Sequence, residues 1–125
     1  MNYNPVGWFE IYVRNMQRAK KFYESVFRTT LTRLNTPAPD IEMWSFPMTD
    51  GAPGCAGALA KMEGLDAGGL GTMVYFSCQD CSVEASRAEA AGGVVHRSKL
   101  PIGEYGFIAL VKDTEGNMIG LHSRD

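Results

Sequence analysis

Two stretches of alternating side chains open the two halves of the chain. In the first, Trp8, Glu10 and Tyr12 alternate with Phe9, Ile11 and Val13. The run Met73-Val74-Tyr75-Phe76-Ser77 repeats that arrangement 65 residues later. A period of two predicts strands over 7–13 and 72–77. Asn15 and Asp80 follow at the same offset and suit helix N-caps. Behind Asn15, the residues Met16, Ala19, Phe22, Tyr23, Val26 and Phe27 recur three and four apart, which predicts a helix over 16–27. Its stripe is expected to cover the Phe9, Ile11 and Val13 face. On that reading Phe22 is a core residue, and truncating it should cost about 3–5 kcal/mol. A second helix is expected over 81–91, carrying Val83, Ala85, Ala88 and Ala91 and stopped by Gly92-Gly93.

The remaining segments complete each half. Thr29 to Leu34, Ile41 to Phe46 and Cys55 to Lys61 read as strands, with a turn over Thr36-Pro37-Ala38-Pro39-Asp40. Gly64 to Gly71 reads as a flexible connection. In the second half, Val94 to Arg97, Gly106 to Lys112 and Met118 to His122 read as strands. The loop Lys99 to Gly103 and the turn Asp113 to Asn117 separate them. The order is β-α-β-β-β, twice. This predicts an α+β fold in one domain over 1–125, with two βαβββ modules over about 5–63 and 70–125. They are expected to form a curved mixed sheet with a cleft.

Composition narrows the function. A chain of 125 residues with 45% apolar content suits one core, and 12 Lys and Arg against 14 Asp and Glu give a charge of -2. No basic run exists, so no nucleic-acid partner is expected. No apolar run approaches the roughly 20 residues of a membrane span, so no membrane partner is expected. The opening Met1-Asn2-Tyr3-Asn4-Pro5 lacks the basic and apolar pattern of a signal peptide, and a cytoplasmic location is expected. Gly51, Gly54 and Gly57 match no nucleotide-binding fingerprint. Cys78-x-x-Cys81 has redox spacing, but its two thiols align with Val13 and Met16 and read as small packing residues.

Several phrases together carry a family resemblance. They are Val13-Arg14-Asn15-Met16 leading to Ala19-Lys20-Lys21-Phe22-Tyr23, then Phe76 to Asp80, then Asp113-Thr114-Glu115-Gly116-Asn117. The opening Pro5 to Glu10 and the run Pro101 to Leu110 add to them. Over nearly its whole length the chain resembles the vicinal oxygen chelate superfamily, which includes glyoxalase I, extradiol dioxygenases and bleomycin-resistance proteins. Within it, the chain is most similar to small uncharacterised glyoxalase-like proteins. The resemblance implies a homodimer. It also implies four positions that hold a divalent ion in metal-dependent members, here Trp8, approximately Cys55, Met73 and Gly120. Indole, thioether and glycine are poor partners for a hard cation, so neither a metal nor another cofactor is expected.

The expected cleft is an apolar cup with a few polar groups, the usual composition of a small-molecule pocket. Strand parity places Trp8, Glu10 and Tyr12 there, with Met73, Tyr75 and Ser77 from the second copy. Met118, Gly120 and His122 come from the last strand, Trp44 from the third, and Glu104 from the loop before a buried strand. Gly120 is read as room left where a carboxylate would otherwise project. Glu10 is the sharpest candidate, a carboxylate that desolvation would turn into a proton acceptor. Tyr12 and His122 are candidate assistants, whereas His96 reads as structural or surface. The expectation is a metal-independent small-molecule binding protein. The alternative is a lyase or isomerase with Glu10 as general base, and a metal-dependent lactoylglutathione lyase ranks below both.

Overall fold

A computed structural model describes residues 2–36, 38–64 and 71–125. The expected connection over 64–71 and Pro37 of the first turn lie mostly or wholly outside them. The eight strands are β1 (Val6–Tyr12), β2 (Thr32–Leu34), β3 (Ile41–Ser45), β4 (Ala58–Met62), β5 (Thr72–Ser77), β6 (Val94–Pro101), β7 (Phe107–Lys112) and β8 (Met118–Ser123). Helix α1 (Met16–Phe27) follows β1, and α2 (Cys81–Ala90) follows β5. The fold is α+β, with the βαβββ order present twice. The chain divides into two compact units, Trp8–Met73 and Val74–Asp125, the latter joined by the N-terminal residues through Gly7. No helix among the described residues is long and apolar enough to cross a membrane.

In the first unit the strand order is β2-β3-β4-β1, with β1 parallel to β4 and the other pairs antiparallel. Asn15 caps α1 by accepting the Arg18 N–H at 3.0 Å. The register then fixes two faces. Ile11, Leu59 and Trp44 lie in one cross-strand row, while Glu10, Ala58 and Ser45 lie in the next, facing the other way. Helix α1 covers the first face, where Met16, Leu31 and Leu59 form a buried cluster with Ile11, Val13, Ala19, Tyr23 and Phe46 around it.

The stripe on α1 is narrower than its spacing suggests. Phe22, Val26 and Phe27 are 58%, 55% and 64% exposed. Phe22 sits about 100° round the helix from Tyr23, beyond the arc that one sheet face covers. The core role expected for Phe22, and the stability cost attached to it, therefore do not hold.

Strand boundaries move for identifiable reasons. β2 starts three residues late because Leu31, 3% exposed, turns into the core and its N–H donates to Glu24 Oε2 at 2.9 Å. β4 likewise starts three residues after Cys55, because Gly57 has φ +71 and the Phe9 ring fills the space a Cβ would need there. β6 runs four residues further than expected. Register shifts absorb its polar middle, and Leu100 and Pro101 still pair with Ile108 and Phe107.

In the second unit the order is β5-β8-β7-β6, with β5 and β8 parallel. Helix α2 packs Cys81 and Ala85 on Ala109, Val111 and Leu121. Gly93 N–H closes the helix on the Ala88 carbonyl at 2.8 Å. Asp113 Oδ1 accepts the N–H groups of Glu115 and Asn117 at 2.8 and 2.9 Å, so this turn forms as expected.

Asp80 caps α2 and also receives Lys99 Nζ at 2.9 Å. The Ser82 hydroxyl first, and then Lys99, hold its carboxyl down at about 2, against an ordinary 3.8. A lowered folded value means the contribution is complete above the ordinary carboxylate range and is lost as pH falls through it. The melting-temperature difference between wild type and Asp80→Asn should stay constant from neutral pH to about 5. It should then shrink on further acidification, and a difference that grew there would contradict the pairing.

Candidate functional site

On the face of the first sheet turned away from α1, two rows of side chains meet. One is Glu10, Ala58 and Ser45, and the other is Tyr12, Ala60 and Met43. Alanine methyls at 58 and 60, both fully buried, leave Glu10 and Tyr12 as the prominent groups of β1 on this face. Each of the two is 5% exposed. The Tyr12 hydroxyl donates to Glu10 Oε1 at 2.7 Å, a link between residues i and i+2 that only strand geometry allows. Trp8, further along β1, is half-buried. Met73 is buried, at 4% exposure. A carboxylate withdrawn from water among methyl groups is expensive for folding and forms strong hydrogen bonds there.

Trp44 does not share this face. Its register with Leu59 turns it toward α1, where Lys20 Nζ stands 3.4 Å above the ring and the indole N–H donates to Glu42 Oε2 at 2.9 Å. Met43 and Ser45 occupy the site face in its place. Sequence reasoning passed over them, together with Ala58 and Ala60. Counting parity back along β3 from a fixed β4 register would have recovered all four.

In the second unit, Tyr75, Gly120 and Leu110 form one row, and Ser77, His122 and Ile108 the next. Both rows face away from α2. Gly120 is not open space. A Cβ built there would lie closer than 3.0 Å to three carbons of the Tyr75 ring, so the ring itself fills the position. Met118 is half-buried at the start of β8, opposite Lys112.

His122 is committed elsewhere. Its Nε2 lies 2.6 Å from the Tyr105 carbonyl, which only accepts, so that nitrogen carries the proton and anchors the turn Gly103–Tyr105. Glu104 is exposed on that same turn. His96 is exposed on β6. His122 thus holds a loop in place, and its Nε2 is not available as a base.

The structure also moves one of the four inherited metal positions. Glu10 neighbours Ala58 in the first unit as Tyr75 neighbours Gly120 in the second, and Glu10 and Tyr75 are equivalent under the 65-residue offset. The β4 counterpart of Gly120 is therefore Ala58, and Cys55 is an exposed loop residue. Trp8, Ala58, Met73 and Gly120 offer no nitrogen, thiolate or carboxylate donor. Among the described residues no three His, Cys, Asp or Glu side chains converge in a way that could hold a metal ion. The donor set does not fit a divalent cation.

The cysteines divide the same way. Cys81 is fully buried under α2, and burial first, then the charge of Glu84, pushes the Cys78 thiol up to about 11. Native protein treated with an alkylating reagent near pH 8 should be modified at Cys55 alone, and at all three cysteines after denaturation. Fast labelling of Cys78 in the native state would revive the redox reading.

The chain belongs to the Glyoxalase/Bleomycin resistance protein/Dioxygenase superfamily, whose family model matches residues 6–121. No curated protein matches it significantly. Its fold is shared with a hypothetical protein of Bacillus halodurans C-125, at TM-score 0.71 and 9% identity, covering 96% of this chain and 94% of that one. It is also shared with methylmalonyl-CoA epimerase of Streptomyces coelicolor in complex with 2-nitronate-propionyl-CoA, at TM-score 0.66 and 14% identity, with 96% of each chain covered. The Mycobacterium tuberculosis methylmalonyl-CoA epimerase matches at TM-score 0.66 and 11% identity, covering 97% and 88%. At these identities the likeness is one of fold.

Proposed function

We propose that this chain is a cytoplasmic small-molecule binding protein that works without a metal ion and anchors its ligand on Glu10 and Tyr12. The observation that supports this reading is the Glu10 carboxylate, 5% exposed and hydrogen-bonded to the Tyr12 hydroxyl on a floor of alanine methyls. A ligand donor, an amide N–H, a hydroxyl or a cationic nitrogen, would exchange into the hydrogen bonding of this carboxylate with the strength of a charge-assisted bond. Apolar parts of the ligand would lie on Ala58, Ala60, Met43 and Trp8. Because Glu10 and Tyr12 are shielded, a ligand must first displace what covers them, so association should be slower than an open site allows.

Tryptophan emission tests the reading. Trp44 is held under Lys20 on the helix side, so a Trp44→Phe variant isolates Trp8. Titration of that variant with a broad panel of small cationic and hydrogen-bond-donating metabolites should produce a saturable change in emission. A flat response across the panel counts against the binding function.

One observation favours a second reading. A buried carboxylate beside a phenol is also suited to proton abstraction next to a carbonyl, with Glu10 as base. The epimerases that share the fold are isomerases, and an isomerase or lyase activity here would use the same pair. Substrate turnover that Glu10→Gln abolishes, with binding retained, would select this reading over simple binding.

A further inference from the structure

Besides the tyrosines, the buried polar residues among those described are Glu10, Ser45 and Ser123, at 5%, 3% and 1% exposure. Two of them are paired. Glu10 accepts the Tyr12 hydroxyl, while Ser123 Oγ accepts the Cys81 N–H and donates to the Asp125 carbonyl. The Ser45 hydroxyl has no partner among the described residues. It can still be reached, because the one sealed side-chain atom without a partner among those residues is Glu84 Oε1. An unpaired buried hydroxyl costs a fold about 1–3 kcal/mol. The second unit shows that the packing does not require it. At the 65-residue offset from Ser45 stands Leu110, also 3% exposed, paired with Gly120 and Arg97 as Ser45 is with Ala58 and Thr32.

Register sets what surrounds this hydroxyl. On the face turned away from α1, one row runs from β1 to the β2 edge through Glu10, Ala58, Ser45 and Thr32. The next row runs through Tyr12, Ala60, Met43 and Leu34. The first is a polar lane, with one methyl between the carboxylate and the hydroxyl, and beyond Tyr12 the second is apolar. Thr32 is exposed on an edge strand, so the lane opens to solvent there. Glu10 and Ser45 stand two strand spacings apart, about 10 Å between their backbones. We propose that Ser45 is the second polar anchor of the Glu10 site, and that the ligand is an elongated ω-amino carbonyl compound lying across the strands. Its ammonium head sits on Glu10, its aliphatic spacer on Ala58 beside Met43, and its carbonyl oxygen accepts the Ser45 hydroxyl. A neutral amide or ester suits the lane better than a free carboxylate, since none of the eight residues in the two rows is cationic. The assignment rests on the role proposed above for Glu10.

Titration calorimetry of the full chain with straight-chain ω-amino amides of increasing length, each beside the n-alkylamine of equal length, tests this. Wild type should bind both series. At one intermediate spacer the amide should bind about 5-fold more tightly than its alkylamine, the worth of one neutral hydrogen bond. The ω-amino acid of that length should show no such gain. Ser45→Ala should melt no lower than wild type, since Leu110 holds the equivalent place in the second unit, and it should abolish the gain. Glu10→Gln should weaken amide and alkylamine alike. The two ways of failing are distinct. If wild type binds neither series, the Glu10 anchor fails and the Ser45 role with it. If both series bind through Glu10 but no spacer favours the amide, or the gain survives in Ser45→Ala, the Ser45 role alone is overturned.

Discussion

Replacing Gly120 by glutamate should destabilise the fold strongly instead of building a site. A Cβ alone enters the Tyr75 ring, and Tyr75 is 5% exposed with little room to move. Overpacking of this kind costs about 1–3 kcal/mol. A carboxylate without a partner in the same buried place adds several more, against a total stability of about 5–15 kcal/mol. A loss of about 4 kcal/mol or more is therefore expected in denaturant titration. Gly120→Ala isolates the steric part. Combined with Tyr75→Ala it should be far less harmful than the separate losses imply, with a coupling of about 1–3 kcal/mol. If Gly120→Ala leaves stability unchanged in both backgrounds, the Tyr75 ring does not occupy that position.

Glu10→Gln should have the opposite signature, with function lost and the fold intact. The amide keeps the shape and an oxygen to accept the Tyr12 hydroxyl. Stability should change by about 1 kcal/mol or less. Ligand affinity should fall by about 10- to 100-fold, the difference between a charge-assisted and a neutral hydrogen bond. If the protein is an isomerase, turnover should fall by about 10²–10⁴ while binding weakens little. Unchanged affinity and turnover in Glu10→Gln would remove this residue from the function altogether.

The local periodicities carried the fold. Alternation over Trp8 to Val13 and its echo over Met73 to Ser77 fixed two strands, and Asn15 and Asp80 fixed two helix starts, because these features depend on near neighbours. The errors lie where long-range register decides. Trp44 has the composition of a pocket wall, yet pairing with Leu59 turns it toward α1. Gly57 under Phe9 starts β4 three residues late, which replaces Cys55 by Ala58 at the inherited metal position. Gly120 looked like room, and only coordinates reveal the Tyr75 ring lying across it. Phe22 kept helical spacing but fell outside the arc that α1 presents to the sheet. Glu10 and Tyr12 were legible because their parity on β1 follows from the sequence alone, and their hydrogen bond is its direct consequence. The commitment of His122 to the Tyr105 carbonyl had no sequence signal.

The dependence of ligand binding on divalent ions tests the central claim most directly. Thermal stabilisation by the best compound from the tryptophan screen should be the same before and after exhaustive chelation, and should be much reduced in Glu10→Gln. Stabilisation that disappears on chelation, returns with a divalent cation and ignores Glu10→Gln would contradict the account.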